Sequence, residues 1–131
     1  MPCSLRFIHL MSKKNTPEIR PRLRISCGKN IALGPGKVEL LELLHETGSI
    51  TLAAKRMGMS YMRAWTLIHT MNLAFKEPVV VAVRGGNKGG GGAELTATGR
   101  AALALYHTMD AKSLRALQPE WKRLKKLMPS G

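Results

Sequence analysis

A chain of 131 residues accommodates one domain with short appendages. Its 44% hydrophobic content supports a core and excludes wholesale disorder, but with only 5% aromatics that core falls to Leu, Ile, Val, Ala and Met. The 21 Lys and Arg against 8 Asp and Glu leave a formal net charge of +13, which calls for an anionic partner, nucleic acid ahead of an anionic membrane surface.

Residues 1–20 read as a flexible basic tail, with Ser12-Lys13-Lys14-Asn15-Thr16-Pro17 polar and cationic. Met11 is a candidate alternative start. Arg6 and His9 interrupt the apolar residues Leu5, Phe7, Ile8, Leu10 and Met11, so the segment lacks the unbroken apolar region of a signal peptide. No run reaches the ~20 apolar residues of a membrane span. Cys3 and Cys27 are too few for a disulfide framework or a cysteine-rich zinc site. A cytoplasmic protein that does not engage membranes is expected.

The domain proper is expected over residues 21–118. Leu23, Ile25 and Cys27 alternate with Arg22, Arg24 and Ser26, a period-two strand that Gly28-Lys29-Asn30 ends. Gly34-Pro35-Gly36 then punctuates before a helix from Val38 to Glu46, whose wide apolar face predicts a central position or a subunit contact. Gly48 suits the left-handed position that closes it. Ser49 or Thr51 caps the next helix, on which Ile50, Ala53, Ala54 and Met57 share a face. Gly58 permits a tight turn. Ser60 caps a further helix to about Asn72, with Ala64, Trp65, Ile68 and Met71 as its expected inner stripe.

Beyond Pro78, Val79 to Arg84 is strand-like, and Ala93 to Leu95 can return as its partner. Between them Gly85-Gly86-Asn87-Lys88-Gly89-Gly90-Gly91-Gly92 forms a long glycine-rich hairpin tip. Thr96 or Thr98 opens a long helix to about Leu117, with Ala102, Leu105, Tyr106 and Met109 on its expected inner face. Pro119 interrupts, and residues 119–131 form a short basic amphipathic segment suited to a subunit interface.

Helix, glycine turn, serine cap and second helix are the grammar of a helix-turn-helix. The second helix of such a motif enters the major groove, and side chains opposite its packed stripe reach the bases. Here those are Tyr61, Met62, Arg63 and Thr66, with Thr70 further along. Arg63 can donate twice to guanine, and Met62 or the Thr66 methyl can meet a thymine methyl. Thr51, Ser60 and the helix amide ends suit phosphates. The glycine-rich tip lacks the lysine and hydroxyl spacing of a nucleotide-binding loop. It reads instead as a wing, with Arg84, Asn87 and Lys88 against the DNA backbone.

The chemistry of catalysis is missing from the pattern. His9, His45, His69 and His107 do not cluster, and His45 reads as a packing residue on its apolar helix. His107 and Asp110 share a face, but one pair does not make a metal site. An enzyme, a metal site and a cofactor are therefore not expected.

Gly48-Ser49-Ile50, Ala53-Ala54, Gly58-Met59-Ser60-Tyr61, Ala64-Trp65, Met71-Asn72, the glycine-rich wing and Leu95-Thr96-Ala97-Thr98-Gly99, in this order, resemble the N-terminal winged helix-turn-helix domain of the ModE family of molybdate-responsive transcriptional regulators. The resemblance runs from about Arg22 to Asp110. It implies an α+β fold, mainly α, with a glycine-rich β-hairpin wing and a long C-terminal helix. It also implies a homodimer on palindromic double-stranded DNA, with Ser60, Tyr61, Met62, Arg63 and Thr66 facing the duplex. Full-length family members sense molybdate through domains that follow the DNA-binding part. The chain stops at Gly131, so direct molybdate binding is not expected. The residues leave two other classes open: a non-specific DNA- or RNA-binding protein, and an adaptor that uses its apolar helix and basic end on a protein partner.

Overall fold

The computed structural model describes residues 16–83 and 92–129. Arg22–Asp110 form one compact unit, and the described residues on either side, 16–21 and 111–129, belong to a second. In chain order the elements are β1 (Ile25–Cys27), β2 (Asn30–Leu33), α1 (Pro35–Thr47), α2 (Ile50–Met57), α3 (Tyr61–Leu73), β3 (Val80–Val83), β4 (Gly92–Leu95), α4 (Ala97–Ala116) and α5 (Gln118–Lys125).

The first strand does not end the β structure, as its Gly28-Lys29-Asn30 punctuation suggests. Gly28, at φ 64°, turns the chain back, and Cys27 pairs with Asn30 across a two-residue loop. The returning strand β2 buries Ala32 and Leu33 side by side, so it lacks the alternation that would have marked it.

Helix α1 starts three residues before the expected Val38. Pro35 sits in its first turn, where a missing N–H costs nothing, and the Val38 N–H bonds the Gly34 carbonyl at 2.9 Å. Leu40, Leu41 and Leu44 are fully buried, which makes α1 the central helix of the unit. Gly48 ends it at φ 69°, its N–H on the Leu44 carbonyl.

Two short hairpins flank the helices. In the second, Val80 pairs with Leu95, Val81 with Glu94, Ala82 with Ala93 and Val83 with Gly92. A bridge from Ser49 to Gly92, and the bond from the Ala93 N–H to the Gly48 carbonyl at 3.1 Å, tie this hairpin to the turn before α2.

Helix α4 begins against the backbone of Val79, whose carbonyl accepts from the Thr96 N–H at 2.9 Å. The Thr96 hydroxyl accepts from the Gly99 N–H at 3.0 Å and donates to the Pro78 carbonyl at 2.7 Å, so Thr96 rather than Thr98 is the cap. A Cβ on Gly99 would lie 2.1 Å from the Val79 carbonyl oxygen, so only glycine fits there. On the inner face of α4, Tyr106 is buried and donates its hydroxyl to the Leu23 carbonyl at 2.9 Å. Leu105 and Met109, expected beside it, are exposed, and Leu103 packs against the core instead. Pro119 lies within the first turn of α5 rather than ahead of it.

Candidate nucleic-acid interface

The two helices α2 and α3 form the expected helix-turn-helix, and each begins on a serine. The Ser49 hydroxyl accepts from the Leu52 N–H and the Ser60 hydroxyl from the Arg63 N–H, both at 3.1 Å. Gly58 between them takes φ 69°, and its N–H reaches back to the Lys55 carbonyl. Ala53, Ala54 and Ala64 are almost fully buried. Three methyl-sized side chains let the helices approach closely, which fixes how α3 projects.

Only Ala64, Ile68 and Met71 of α3 are buried. Tyr61, Met62, Arg63 and Thr66 stand exposed on its first two turns, as does Thr51 at the start of α2. Ser60 is exposed too, and its capping bond leaves its own proton free to donate to a phosphate oxygen. Thr70 is different: it is half-buried and its hydroxyl donates to the Leu67 carbonyl at 3.0 Å. Arg84, Asn87 and Lys88 lie outside the described residues.

The expectation for Trp65 is overturned. It stands 44% exposed and stacks on His69 with ring centroids 5.0 Å apart and planes 8° from parallel. Its position is one step off the buried stripe, and Ala64 already fills the space against α2. The face of α3 that leaves the core is therefore wider than its apolar pattern implied. His45 is likewise exposed rather than packed: α1 turns it away from the core, beside Glu94 and Arg100.

Charge on this side of the unit is cationic and solvated. Lys55, Arg56 and Arg63 are all exposed. Arg56 pairs with Glu46 at 2.7 Å, but both side chains are more than half exposed, so the pair is worth little and yields readily to a phosphate. His107 and Glu42 meet at 2.7 Å, linking α4 to α1 rather than forming a site with Asp110. Among the described residues no three His, Cys, Asp or Glu side chains gather as metal ligands. No described helix is long and apolar enough to cross a membrane.

One positioning residue escaped the sequence pattern. The Asn72 carboxamide oxygen accepts from the N–H groups of Val79 and Val80 at 2.8 and 3.1 Å, and its nitrogen donates to the Val80 carbonyl at 3.0 Å. A single side chain thus replaces a strand partner for β3 and locks the end of α3 to the hairpin. Nothing local to Asn72 announces this, because its partners lie seven and eight residues on.

No family model matches the chain. Curated relatives do. The molybdenum transport protein ModE of Azotobacter vinelandii is 39% identical over 103 residues, 79% of this chain and 38% of that protein. The molybdenum-pterin-binding protein MopB of Rhodobacter capsulatus is 40% identical over 92 residues, 70% of this chain and 34% of that protein. The transcriptional regulator ModE of Yersinia pestis is 39% identical over 84 residues, 64% of this chain and 32% of that protein. The chain therefore spans about a third of the length of the curated relatives it matches. Among solved structures, a mutant of Lactococcus lactis ZitR in complex with DNA covers 92% of this chain at a TM-score of 0.51, with 80% of that chain matched. At 16% identity that likeness speaks for the winged-helix fold alone.

Proposed function

Across most of its length the chain belongs with the N-terminal part of the ModE family of regulators, and from that premise we propose that it is a sequence-specific DNA-binding transcriptional regulator tied to molybdenum metabolism. The observation that carries this reading is the exposed face of α3. A serine-capped helix holds its first two turns clear of the core, with an arginine, two threonine-sized or smaller polar groups and two large side chains in solvent. A core helix has no reason to leave them there.

In this reading α3 enters the major groove N-terminus first. Tyr61, Met62, Arg63 and Thr66 meet base edges, Thr51 and Ser60 hold phosphates, and Arg84, Asn87 and Lys88 follow the backbone alongside. Thr70 contributes its methyl at most, since its hydroxyl is engaged within the helix. Regulation is by occupancy of an operator, and no catalytic step is needed.

The active species is a homodimer. Its support is the pair of exposed apolar residues Leu105 and Met109, one turn apart on α4, which face solvent in a monomer. A second copy covers them and matches a palindromic operator. The decisive experiment is selection of duplexes from a random-sequence pool by the purified chain, with sedimentation to give the stoichiometry. Recovery of a palindromic consensus supports the reading, and equal affinity for selected, random and RNA duplexes sinks it.

A further inference from the structure

The outward stripe of α3 does not stop at Thr66. Met62, Thr66, His69 and Leu73 fall at i, i+4, i+7 and i+11, one line along a helix, and all four are exposed. His69 is the only ionisable member of that line. Its ring is held by the parallel stack on Trp65, which covers one face and leaves the ring edge with its two nitrogens to bond a partner.

We infer that His69 is a further DNA contact whose imidazolium pairs with a backbone phosphate, held in place by Trp65, so that DNA binding takes up a proton. The inference rests on the reading that α3 enters the major groove. His69 lies seven residues beyond Met62, about 10 Å along the helix. The groove is about 12 Å wide. If Met62 is near the bases, His69 stands where the helix reaches the groove wall, and the wall is phosphate.

The stack suits both charge states. A neutral imidazole stacks as any flat ring does, and an indole face attracts a cation within about 6 Å of its centroid. The charged form alone makes a charge-assisted bond to an anion, so the DNA selects it. This is the way a histidine converts proximity to phosphate into pH dependence near neutrality.

The surroundings supply no competing charge. The cleft of about 220 Å³ beside His69 is walled by Ile50 from α2, Trp65 and Asn72 from α3, Val81 from β3 and Ala93 from β4, and no ionisable side chain but His69 lines it among the described residues. Arg63 lies on the same helix nearly two turns earlier, Lys76 and Glu77 follow its end, and Glu94 of β4 sits opposite Val81, lining the neighbouring cleft with His45 and Arg100. None of these forms an ion pair with His69, so its ring nitrogens are left for the DNA.

The test is binding of the full chain to a duplex recovered from a random-sequence pool, measured between about pH 6 and pH 8. The wild-type chain is expected to weaken about tenfold per protomer over that interval. His69→Gln removes this dependence down to whatever His9, His45 and His107 contribute, and His69→Lys binds at the upper pH as tightly as wild type does at the lower. Trp65→Leu loses affinity at the lower pH and flattens the profile, which a purely structural role for the stack would not do. His69 is exposed, so both of its variants keep the fold, with unfolding temperature as the control. A His69→Gln profile parallel to that of wild type overturns the inference and leaves the DNA-reading assignment standing. Failure of the wild-type chain to bind any duplex at low salt overturns both.

Discussion

Helices α1 and α3 are the same length, 13 residues, and use it in opposite ways. Helix α1 buries Val38, Leu40, Leu41 and Leu44, with three of the four leucine and valine side chains at 1% exposure or less. Helix α3 buries Ala64, Ile68 and Met71 and leaves Tyr61, Met62, Trp65 and Leu73 between 41% and 73% exposed. The first is held by the apolar area it removes from water. The second gives up that stabilisation on one side and is held at its ends instead, by the Ser60 cap and the Asn72 clasp. A helix that keeps large side chains in water is one whose surface is wanted for something else.

The sharpest way to separate the two is to damage each in turn. Leu41→Ala, in the fully buried face of α1, is expected to cost about 2–5 kcal/mol of stability, read by chemical denaturation, with the base preference of the remaining folded protein unchanged. Asn72→Ala attacks the junction between the helices and the hairpin. It leaves the N–H of fully buried Val79 without its acceptor and is expected to cost about 1–3 kcal/mol, and amide exchange at Val79 and Val80 should quicken before the rest of the unit opens.

On the α3 side the effect moves from stability to binding. Arg63→Ala is expected to leave the unfolding midpoint in place and to lose about 1–3 kcal/mol of discrimination at one base pair of the operator. An unchanged operator preference would show that the reading edge lies elsewhere on the helix.

The smallest effect is at Tyr106, which belongs to the buried side. Tyr106→Phe removes the hydroxyl bond to the Leu23 carbonyl and should cost about 1 kcal/mol near neutral pH. Burial raises its phenol above the usual value, with Asp110 adding to the rise against Arg22 and Arg24. A raised folded value means the neutral form is the one the fold prefers. The contribution is therefore complete below the ordinary phenol range and lost as pH rises through the raised value. The phenylalanine variant should lack that alkaline loss in a pH series of thermal melts.

Most of the helical frame was legible in advance because its signals are local. A serine followed by an apolar 3.6 period, and glycines at left-handed positions, placed α2 and α3 within a residue of their observed ends. The pairing of β3 with β4 followed from the β-branched run before the glycine-rich segment and the apolar Ala93 and Leu95 after it. The errors share one cause. Trp65, Leu105 and Met109 have the residue type and spacing of a core face, and apolar periodicity cannot say where a core stops. Strand β2 failed in the other direction, since a four-residue strand that buries adjacent residues carries no period at all.

By itself the sequence determined the order and nature of the elements other than β2, the turn at Gly58, the Ser60 cap and the cationic character of the chain. Those depend on backbone conformations and charges that a residue carries wherever it sits. Only the tertiary structure decided how wide the open face of α3 is, that Trp65 leaves the core to stack on His69, that Asn72 holds β3, and that Gly99 must be glycine because the Val79 carbonyl occupies the place of its side chain. Each of these depends on which neighbour arrives first at a shared volume, and that is settled by packing among segments far apart in the chain.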